Sequence, residues 1–289
     1  MTKTLIALVA LAGLASTARP AGAQAAPQPI AVRFAATAAG VPVSCGAKIA
    51  GIGTTKSTIS FIDFRLYVSR VRLVRADGAE VPVTLEQDGL WQLDDVALLD
   101  FENGTGACAN GTEQTRDVIA GTVPPGDYTG LRFEVGLPFE KNHVDPTLQP
   151  SPLNLSRMFW SWNGGYKFMR LDFRSTGQPR GWLVHLGSTG CSPSDTPTTV
   201  PVSCTHRNAV SVDLPAFSSR RDVVELDVAA LLAQSDVDAN TADTPLGCMS
   251  GPADPECRGM FAQLGLAIGD TPAGAQKVFH VRPAASVVR

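Results

Sequence analysis

Short stretches in which hydrophobic and polar residues alternate recur along the chain, separated by Gly, Pro, Asp and Asn. Successive side chains of a β-strand point to opposite faces, so this alternation is typical of strands with one buried face. The clearest case is 58–73, which is rich in aromatic and β-branched residues. The pattern predicts strands over 30–36, 58–73, 81–85, 128–135, 166–174, 182–186, 208–214, 222–228, 264–268 and 277–281.

Helical periodicity is scarce by comparison. Only 229–234 and 153–159 are predicted to form one or two helical turns each. Because the 27 Gly and 21 Pro favour turns over helices, 136–165 and 187–207 are expected to be long loops. Long loops in a compact domain are often functional. The sequence therefore predicts an all-β protein, an antiparallel β-sandwich with long inserted loops and few short helices.

The amino-terminal segment has the three parts of a secretory signal peptide. Lys3 supplies a positive charge, 5–14 is a short apolar run, and Ala21-Gly22-Ala23 is a small-residue cleavage site. The apolar run is shorter than the roughly 20 residues that a membrane span needs. We therefore expect a signal peptide over 1–23, cleaved near Ala23, and a single periplasmic domain over 24–289 with no membrane span.

Composition and charge limit the classes of partner that the protein can bind. The formal net charge is −3 and no basic block occurs, which argues against nucleic acid as a partner.

The six cysteines are Cys45, Cys108, Cys191, Cys204, Cys248 and Cys257. An even number in an exported protein indicates disulfides. Short separations favour Cys191 with Cys204 and Cys248 with Cys257, which leaves Cys45 with Cys108. A zinc site is the alternative, and it is disfavoured because no C-x-x-C spacing occurs.

The densest aromatic segment is 159–168, Phe-Trp-Ser-Trp-Asn-Gly-Gly-Tyr-Lys-Phe. It contains two of the four tryptophans, Trp160 and Trp162. Indole rings are readily oxidised and stack well on cations and sugars. On an extended segment, the W-x-W spacing is expected to place both rings on one face. The rings are therefore candidates for core packing, for a binding platform or for an oxidisable pair.

Two histidines lie on either side of this segment in the sequence. His143 follows Asn142 in a Pro-rich loop and precedes Asp145, and either neighbour could orient an imidazole. His185 lies in the predicted strand 182–186, where a histidine is either a satisfied core residue or a ligand turned inward. Imidazole suits copper, zinc and iron. His143 and His185 are therefore the candidate metal ligands, and the other two histidines are expected to have no metal role.

Four segments, in this order, resemble the MbnP-like family. They are Leu-Pro-Phe-Glu-x-Asn-His-x-Asp-Pro at 137–146, Met-Phe-Trp-Ser-Trp-Asn-Gly-Gly-Tyr-Lys-Phe at 158–168, Val-His-Leu-Gly-Ser-Thr-Gly-Cys at 184–191 and Gly-Cys-Met-Ser at 247–250. The resemblance extends over nearly all of the chain after the signal peptide. Members of this family are exported, multi-cysteine copper-binding proteins found beside a diheme enzyme of the MauG and cytochrome c peroxidase type.

The resemblance implies a function that spacing alone does not. The diheme partner would oxidise a tryptophan, Trp160 or Trp162, to kynurenine, and the modified protein would then bind copper. By the same resemblance the copper ligands would be His143 and His185. The chain would then be a periplasmic protein of copper acquisition or homeostasis, a substrate of the diheme oxidase rather than an enzyme.

Other interpretations stay open on the residues alone. A carbohydrate- or small-ligand-binding β-sandwich would use Trp160, Trp162 and Trp182 as stacking platforms, with Asn163 and Asp172 supplying hydrogen bonds. An exported domain without a ligand would bury its tryptophans in the core. A copper enzyme would need an open coordination position and a substrate pocket.

Overall fold

The computed structural model describes residues 25–284 except 110 and 197. The predicted signal peptide and its cleavage site lie outside the described residues. The strands, in chain order, are β1 Gln28–Ala38, β2 Val41–Pro42, β3 Lys48–Ile52, β4 Ser57–Arg75, β5 Glu80–Pro82, β6 Thr84–Leu85, β7 Gln92–Leu93, β8 Val96–Asp100, β9 Val118–Val123, β10 Tyr128–Val135, β11 Phe159–Ser161, β12 Gly165–Tyr166, β13 Met169–Arg174, β14 Trp182–Leu186, β15 Thr189–Ser192, β16 Ser203–His206, β17 Val210–Pro215, β18 Asp222–Asp227 and β19 Phe279–Pro283. The helices are α1 Phe139–Asn142, α2 Val228–Leu232 and α3 Pro255–Leu264, with 3₁₀ turns at Gly106–Cys108, Pro146–Leu148 and Ser156–Met158.

Two large sheets form the β-sandwich that the alternating pattern predicts. The first has the order β19-β18-β1-β9-β6, with β2 on β1. The second has the order β14-β13-β4-β10-β17, with β3, β5 and β8 also on β4 and β7 on β8. Pairing is antiparallel except between β1 and β18, which are parallel. Phe133 of the second sheet joins the two layers, because its ring centre is 5.6 Å from those of both Phe34 and Phe279 of the first.

The predicted strand 81–85 is in fact two strands that belong to different sheets. β5 pairs with β4 in the second sheet, and β6 pairs with β9 in the first. Pro82 has no N–H with which to extend a ladder, so a change of sheet is favoured beside it. Val83, between the two strands, is buried and donates its N–H to the Val71 carbonyl oxygen.

A β-bulge in β4 separates an apolar face from a charged one. Phe61 pairs with Phe173 of β13, whereas Asp63 pairs with Asp172, so Ile62 is an extra residue on β4. Simple alternation would have placed Phe61 and Asp63 on the same face. The bulge instead turns Phe61 towards the buried apolar face and leaves Asp63 on the opposite face. The charged face of β4, opposite the apolar one, is the face on which part of the candidate site lies.

The carboxyl-terminal region differs most from expectation. The strand predicted over 264–268 is wrong, because α3 ends at Leu264 and a turn follows. Asp254 caps α3 by accepting a hydrogen bond from the Glu256 N–H, Pro255 is at its first turn, and Gly265 ends it with a φ of +72°. The predicted helix over 229–234 is confirmed as α2. No helix among the described residues has the length and apolar character needed to cross a membrane.

Three disulfides brace the sandwich, with the pairing that the sequence separations favour. They join Cys45 to Cys108, Cys191 to Cys204 and Cys248 to Cys257. The first and third pairs are buried, whereas Cys204 is half-buried. Cys191 and Cys204 are directly opposite each other in the two-stranded sheet of β15 and β16, outside both large sheets.

Candidate functional site

The W-x-W segment forms a hairpin, β11–β12, that belongs to neither large sheet. Its turn spans 162–164. Gly165 follows the turn with a φ of +72°, and a Cβ there would lie 2.6 Å from the Asn142 carbonyl oxygen, so no other residue fits. The expectation of one extended segment carrying both rings is wrong. Trp160 is in β11 and Trp162 is in the turn, so strand alternation does not relate the two rings.

An open cavity of about 310 Å³ lies beside the half-buried Trp160 ring. Its lining residues are Trp160, Asn163, Gly164, Ser188, Thr189, Gly190, Cys191 and Met249. Met249 is also half-buried, and its thioether is a soft potential metal ligand. Trp162 is not among the lining residues. Of the two tryptophans in the motif, Trp160 is therefore the one that faces a space a ligand can enter.

The position of Met249 depends on a short backbone bridge to β14. The Cys248 N–H donates to the Leu183 carbonyl oxygen at 2.8 Å, and the His185 N–H donates to the Cys248 carbonyl oxygen at 2.9 Å. Ser250 continues the bridge, because its hydroxyl donates to the His185 carbonyl oxygen. Met249 is therefore held alongside the strand that carries His185, although the two residues are far apart in sequence.

Gly187 allows the Trp160 ring to pack against the chain just after β14. A Cβ on Gly187 would lie 2.5 Å from Cζ3 of Trp160 and 2.8 Å from the carbonyl oxygen of Tyr166. Both contacts are closer than real Cβ atoms make, and the second is to backbone, which cannot rotate away. The absence of a side chain at Gly187 therefore fixes how close the indole comes to β14.

We expect Gly187→Ala to push the Trp160 ring outward and to lower the free energy of unfolding by about 1–3 kcal/mol, the usual range for overpacking. Urea unfolding measures the stability, and hydroxyl-radical footprinting at Trp160 measures the ring's exposure. Gly46→Ala is the control, because a Cβ there would meet no atom within 4 Å. Equal footprints and stabilities for the two variants would contradict this packing role.

His185 is buried on β14 and directed by a carboxylate. Its Nε2 is 2.9 Å from Oδ1 of Asp172 on the neighbouring β13. An ionised carboxylate only accepts hydrogen bonds, so Nε2 carries the proton and Nδ1 of the neutral ring keeps its lone pair. The Trp160 ring centre is 6.5 Å from the imidazole centre. This carboxylate–imidazole pair is the arrangement that commonly orients a histidine for metal binding.

Asp172 belongs to a charged layer on the outer face of the second sheet. The layer consists of Asp63, Arg65, Asp100, Glu102, Arg170 and Asp172. Arg170 links Asp172 to Asp63, because its guanidinium is 2.7 Å from Asp172 and 3.2 Å from Asp63. Arg65 is 2.9 Å from Asp63, 3.2 Å from Glu102 and 3.7 Å from Asp100. His185 thus lies at one end of a continuous network of ion pairs.

Burial and charge set the pKa values of this layer. Burial would raise the pKa of Asp172, but the hydrogen bond from His185 and the positive charge of Arg170 lower it below its ordinary value. Burial raises the pKa of Asp63 despite the opposing charge of Arg65. Burial also raises the pKa of Asp100 to about 8, against the opposing charge of Arg65. Asp172 is therefore ionised beside His185, whereas Asp100 holds a proton at neutral pH.

His143 lies in a different environment, just after α1. Its Nδ1 is 2.9 Å from the Trp162 carbonyl oxygen, so Nδ1 carries the proton and donates it to that oxygen. Its Nε2 is 3.0 Å from Nδ2 of Asn142, which donates to it. The same Nε2 is 3.4 Å from Sγ of Cys204 and 4.0 Å from Sγ of Cys191. Burial lowers the pKa of His143, although the hydrogen bond to Trp162 opposes this.

Neither candidate histidine is among the residues that line the Trp160 cavity, but each contacts a residue that does. His185 contacts the Trp160 ring, and His143 contacts Cys191, which lines the same cavity as Trp160. Among the described residues, no hydrogen bond joins the two imidazoles. The cavity is the feature that relates them.

The other residues singled out from the sequence have structural positions. Trp182 is fully buried, stacks on Phe173 at 5.5 Å and donates its indole N–H to the Ala239 carbonyl oxygen. It is therefore a core residue, and the interpretation of Trp182 as a stacking platform is wrong. Sequence reasoning missed the role of Gly187 beside the cavity and that of Asp172 as the partner of His185. The one signal available for Asp172 was its place on a predicted strand next to the strand of His185.

Comparisons with known proteins identify the family of the chain. A family model described as MbnP matches residues 27–250. MbnP from Methylosinus trichosporium has a similar solved structure, with a TM-score of 0.80 and 33% sequence identity over 90% of this chain and 100% of that chain. The chain belongs to the MbnP family. A search of curated proteins finds no match.

The segment that matches the MbnP family contains the whole candidate site. His143, Trp160, Asp172, His185 and Met249 all lie within 27–250. The match ends before α3, so the helix and the terminal strand β19 lie beyond it. The resemblance that the four sequence segments carry is thus confirmed, and the β-sandwich predicted from the alternating pattern is the fold of this MbnP-family chain.

Proposed function

We propose that this chain is a periplasmic copper-binding protein of copper acquisition or homeostasis, and that a partner diheme enzyme first converts Trp160 to kynurenine. The observation that supports Trp160 over Trp162 is its position. Trp160 shares a cavity with the Met249 thioether and contacts the imidazole of His185, whereas Trp162 is in a turn outside that cavity.

The donor groups beside the cavity fit copper. His185 offers an unprotonated Nδ1 because Asp172 holds its Nε2 hydrogen. Imidazole and thioether are ligands that suit copper, thioether especially the Cu(I) state. His185 and Met249 would therefore hold the ion, with the modified Trp160 lining the site. His143 is the second imidazole of the proposal, but its Nε2 accepts from Asn142 and would have to give up that hydrogen bond.

Exposure supports Trp160 as a substrate of another protein. The ring is half-buried: one side packs on Gly187 and the other borders the open cavity. A diheme enzyme would withdraw electrons from an indole that is held rigidly and reached from outside. Conversion to kynurenine is a four-electron oxidation that adds two oxygen atoms across the C2–C3 bond of the indole, with the diheme enzyme as the electron acceptor. Hydrolysis of the resulting formyl group then releases the C2 carbon as formate. Three disulfides support an oxidising compartment for the protein.

We expect His185→Ala to abolish high-affinity copper binding and Asp172→Asn to weaken it about 10- to 100-fold, the usual effect of losing a carboxylate that orients a metal-binding histidine. Asparagine keeps the hydrogen-bond acceptor and removes the charge. His143→Ala is expected to have a smaller effect than His185→Ala. Competition with a chromophoric Cu(I) chelator measures each affinity in protein co-produced with the diheme enzyme.

His280→Ala is the control for these variants, because His280 is exposed on β19. Wild-type affinity in the control shows that the loss is specific to His185. Wild-type copper affinity in His185→Ala would rule out the proposed ligand. A sugar-binding function would be favoured if glycans, and not copper, quenched the fluorescence of Trp160.

A further inference from the structure

A buried histidine lies against the sulfur atoms of one disulfide. Nε2 of His143 and the Sγ atoms of Cys191 and Cys204 all lie within 4.8 Å of one another. Because Nδ1–H donates to the Trp162 carbonyl oxygen, the lone pair is on Nε2, on the side of the two sulfurs. Metal-binding histidines commonly donate their other ring N–H to such a carbonyl. His143 thus has the tautomer and support of a ligand, facing two sulfurs.

The nitrogen–sulfur distances are already those of a metal site. With Zn–S bonds of about 2.3 Å and Zn–N bonds of about 2.0 Å, a tetrahedral ion holds sulfur and nitrogen ligands about 3.5 Å apart. The observed separations from His143 Nε2 are 3.4 Å to Cys204 and 4.0 Å to Cys191, on either side of that value. Two features of this cluster exclude an ion: the sulfur–sulfur bond, and the hydrogen bond from Nδ2 of Asn142 to Nε2 of His143, which an ion would have to replace.

We propose that His143, Cys191 and Cys204 form a second metal site that opens on reduction of the disulfide and takes a thiophilic ion such as Zn²⁺ or Cu⁺. In the opening step a dithiol reductant delivers two electrons and two protons. The Cys191–Cys204 bond breaks, two thiols form, and the reductant becomes a disulfide. Metal binding then releases the two thiol protons to water. The cavity beside Cys191 leaves room for a fourth ligand.

Of the three disulfides, this is the one that a reductant can reach and whose reduction leaves both large sheets intact. Cys204 is half-buried, and Cys191, although buried, lines the open cavity, whereas both cysteines of each other disulfide are buried. The β15–β16 sheet that it links is separate from both large sheets, so breaking the bond interrupts neither.

The Cys45–Cys108 pair, which lies beside Glu102, provides a contrast. The Glu102 carboxylate accepts the N–H groups of Gly104 and Thr112 and pairs with Arg65. Its oxygen atoms are therefore engaged, and the cluster is fully buried. Of these two clusters, the His143 cluster is the one with an open side, because Cys191 lines the cavity, and its Nε2 is engaged by a single neutral donor, Nδ2 of Asn142.

This site shares His143 with the copper site of the proposed function, but it needs free thiols at Cys191 and Cys204, whereas the copper site belongs to the oxidised protein and depends on His185. The test uses full-length secreted protein treated anaerobically with a dithiol. Alkylation and peptide mass spectrometry identify the free thiols, and Co²⁺ then serves as the probe. We expect free thiols at Cys191 and Cys204 alone, and one bound Co²⁺ with a thiolate-to-cobalt charge-transfer band. The unreduced protein is expected to show no such band.

Variants decide the assignment. His143→Ala should shift the cobalt spectrum and weaken binding, and the Cys191→Ser/Cys204→Ser double variant should lose the charge-transfer band. His185→Ala should leave the band unchanged, which separates this site from the copper site. If the double variant fails to fold by near-UV circular dichroism, His143→Ala still decides. Reduction of another disulfide first, absence of the band once both thiols are free, or its loss in His185→Ala would overturn the inference.

Discussion

Replacing Trp160 with phenylalanine is expected to abolish the kynurenine product and, with it, high-affinity copper binding. A phenyl ring has no five-membered ring to open, and Trp160 is the indole that borders the cavity with Met249 and contacts His185. The variant would be co-produced with the diheme enzyme and digested. Peptide mass spectrometry then reports the modification, and chelator competition reports the copper affinity.

Trp162→Phe is the matched control for this experiment, since it makes the same change two residues away in the turn. It should keep both the modified peptide and the copper affinity. Kynurenine at residue 162 in the Trp160→Phe protein would contradict the assignment, and so would its absence in the Trp162→Phe protein. Modification without copper binding in His185→Ala would further separate the oxidation step from the metal ligand.

The sequence predicts well those strands whose alternation of apolar and polar residues is complete within the strand itself. The strand predicted over 128–135 coincides with β10, and that over 182–186 coincides with β14, because one face of each is continuously apolar. Failures arise where a non-local partner decides. The predicted strand 81–85 is divided because its two halves pair with different sheets. The predicted strand 264–268 is instead the last residue of α3 and the turn after it, where the positive φ of Gly265 ends the helix.

The candidate site was predictable in its residue types but not in its pairings. The motif segments single out Trp160, His143 and His185 without the fold. The link between His185 and Asp172 depends on the register of β13 and β14. This register places His185 opposite Arg170, and therefore diagonally across from Asp172. The approach of Met249 depends on a backbone bridge between Cys248 and β14. Such contacts follow from packing of the whole chain, so a local pattern does not contain them.

The charged layer behind His185 carries the largest expected effect on stability. We expect Arg65→Met to lower the free energy of unfolding by about 3–5 kcal/mol, because it leaves buried carboxylates without their cation. Arg65 is 2% exposed, and it pairs with Asp63, Asp100 and Glu102. Urea unfolding of the purified variant measures the loss. Arg132→Met is the matched control, since Arg132 pairs with Glu80 and Asp213 at the surface, and a small change is expected there.

The pH dependence distinguishes lost charge pairing from lost packing. The folded-state pKa of Asp100 is about 8, above its ordinary value of 3.8, so between these values the folded protein binds a proton that the unfolded chain has released. Stability therefore falls as pH rises through this interval. Without Arg65 the carboxyl pKa values rise further, so the deficit of Arg65→Met should be smaller near pH 5 than near pH 8. A deficit equal at both pH values would assign the loss to the missing side-chain volume, and charge pairing would not then be what holds Asp63 and Arg170 beside the Asp172 carboxylate that orients His185.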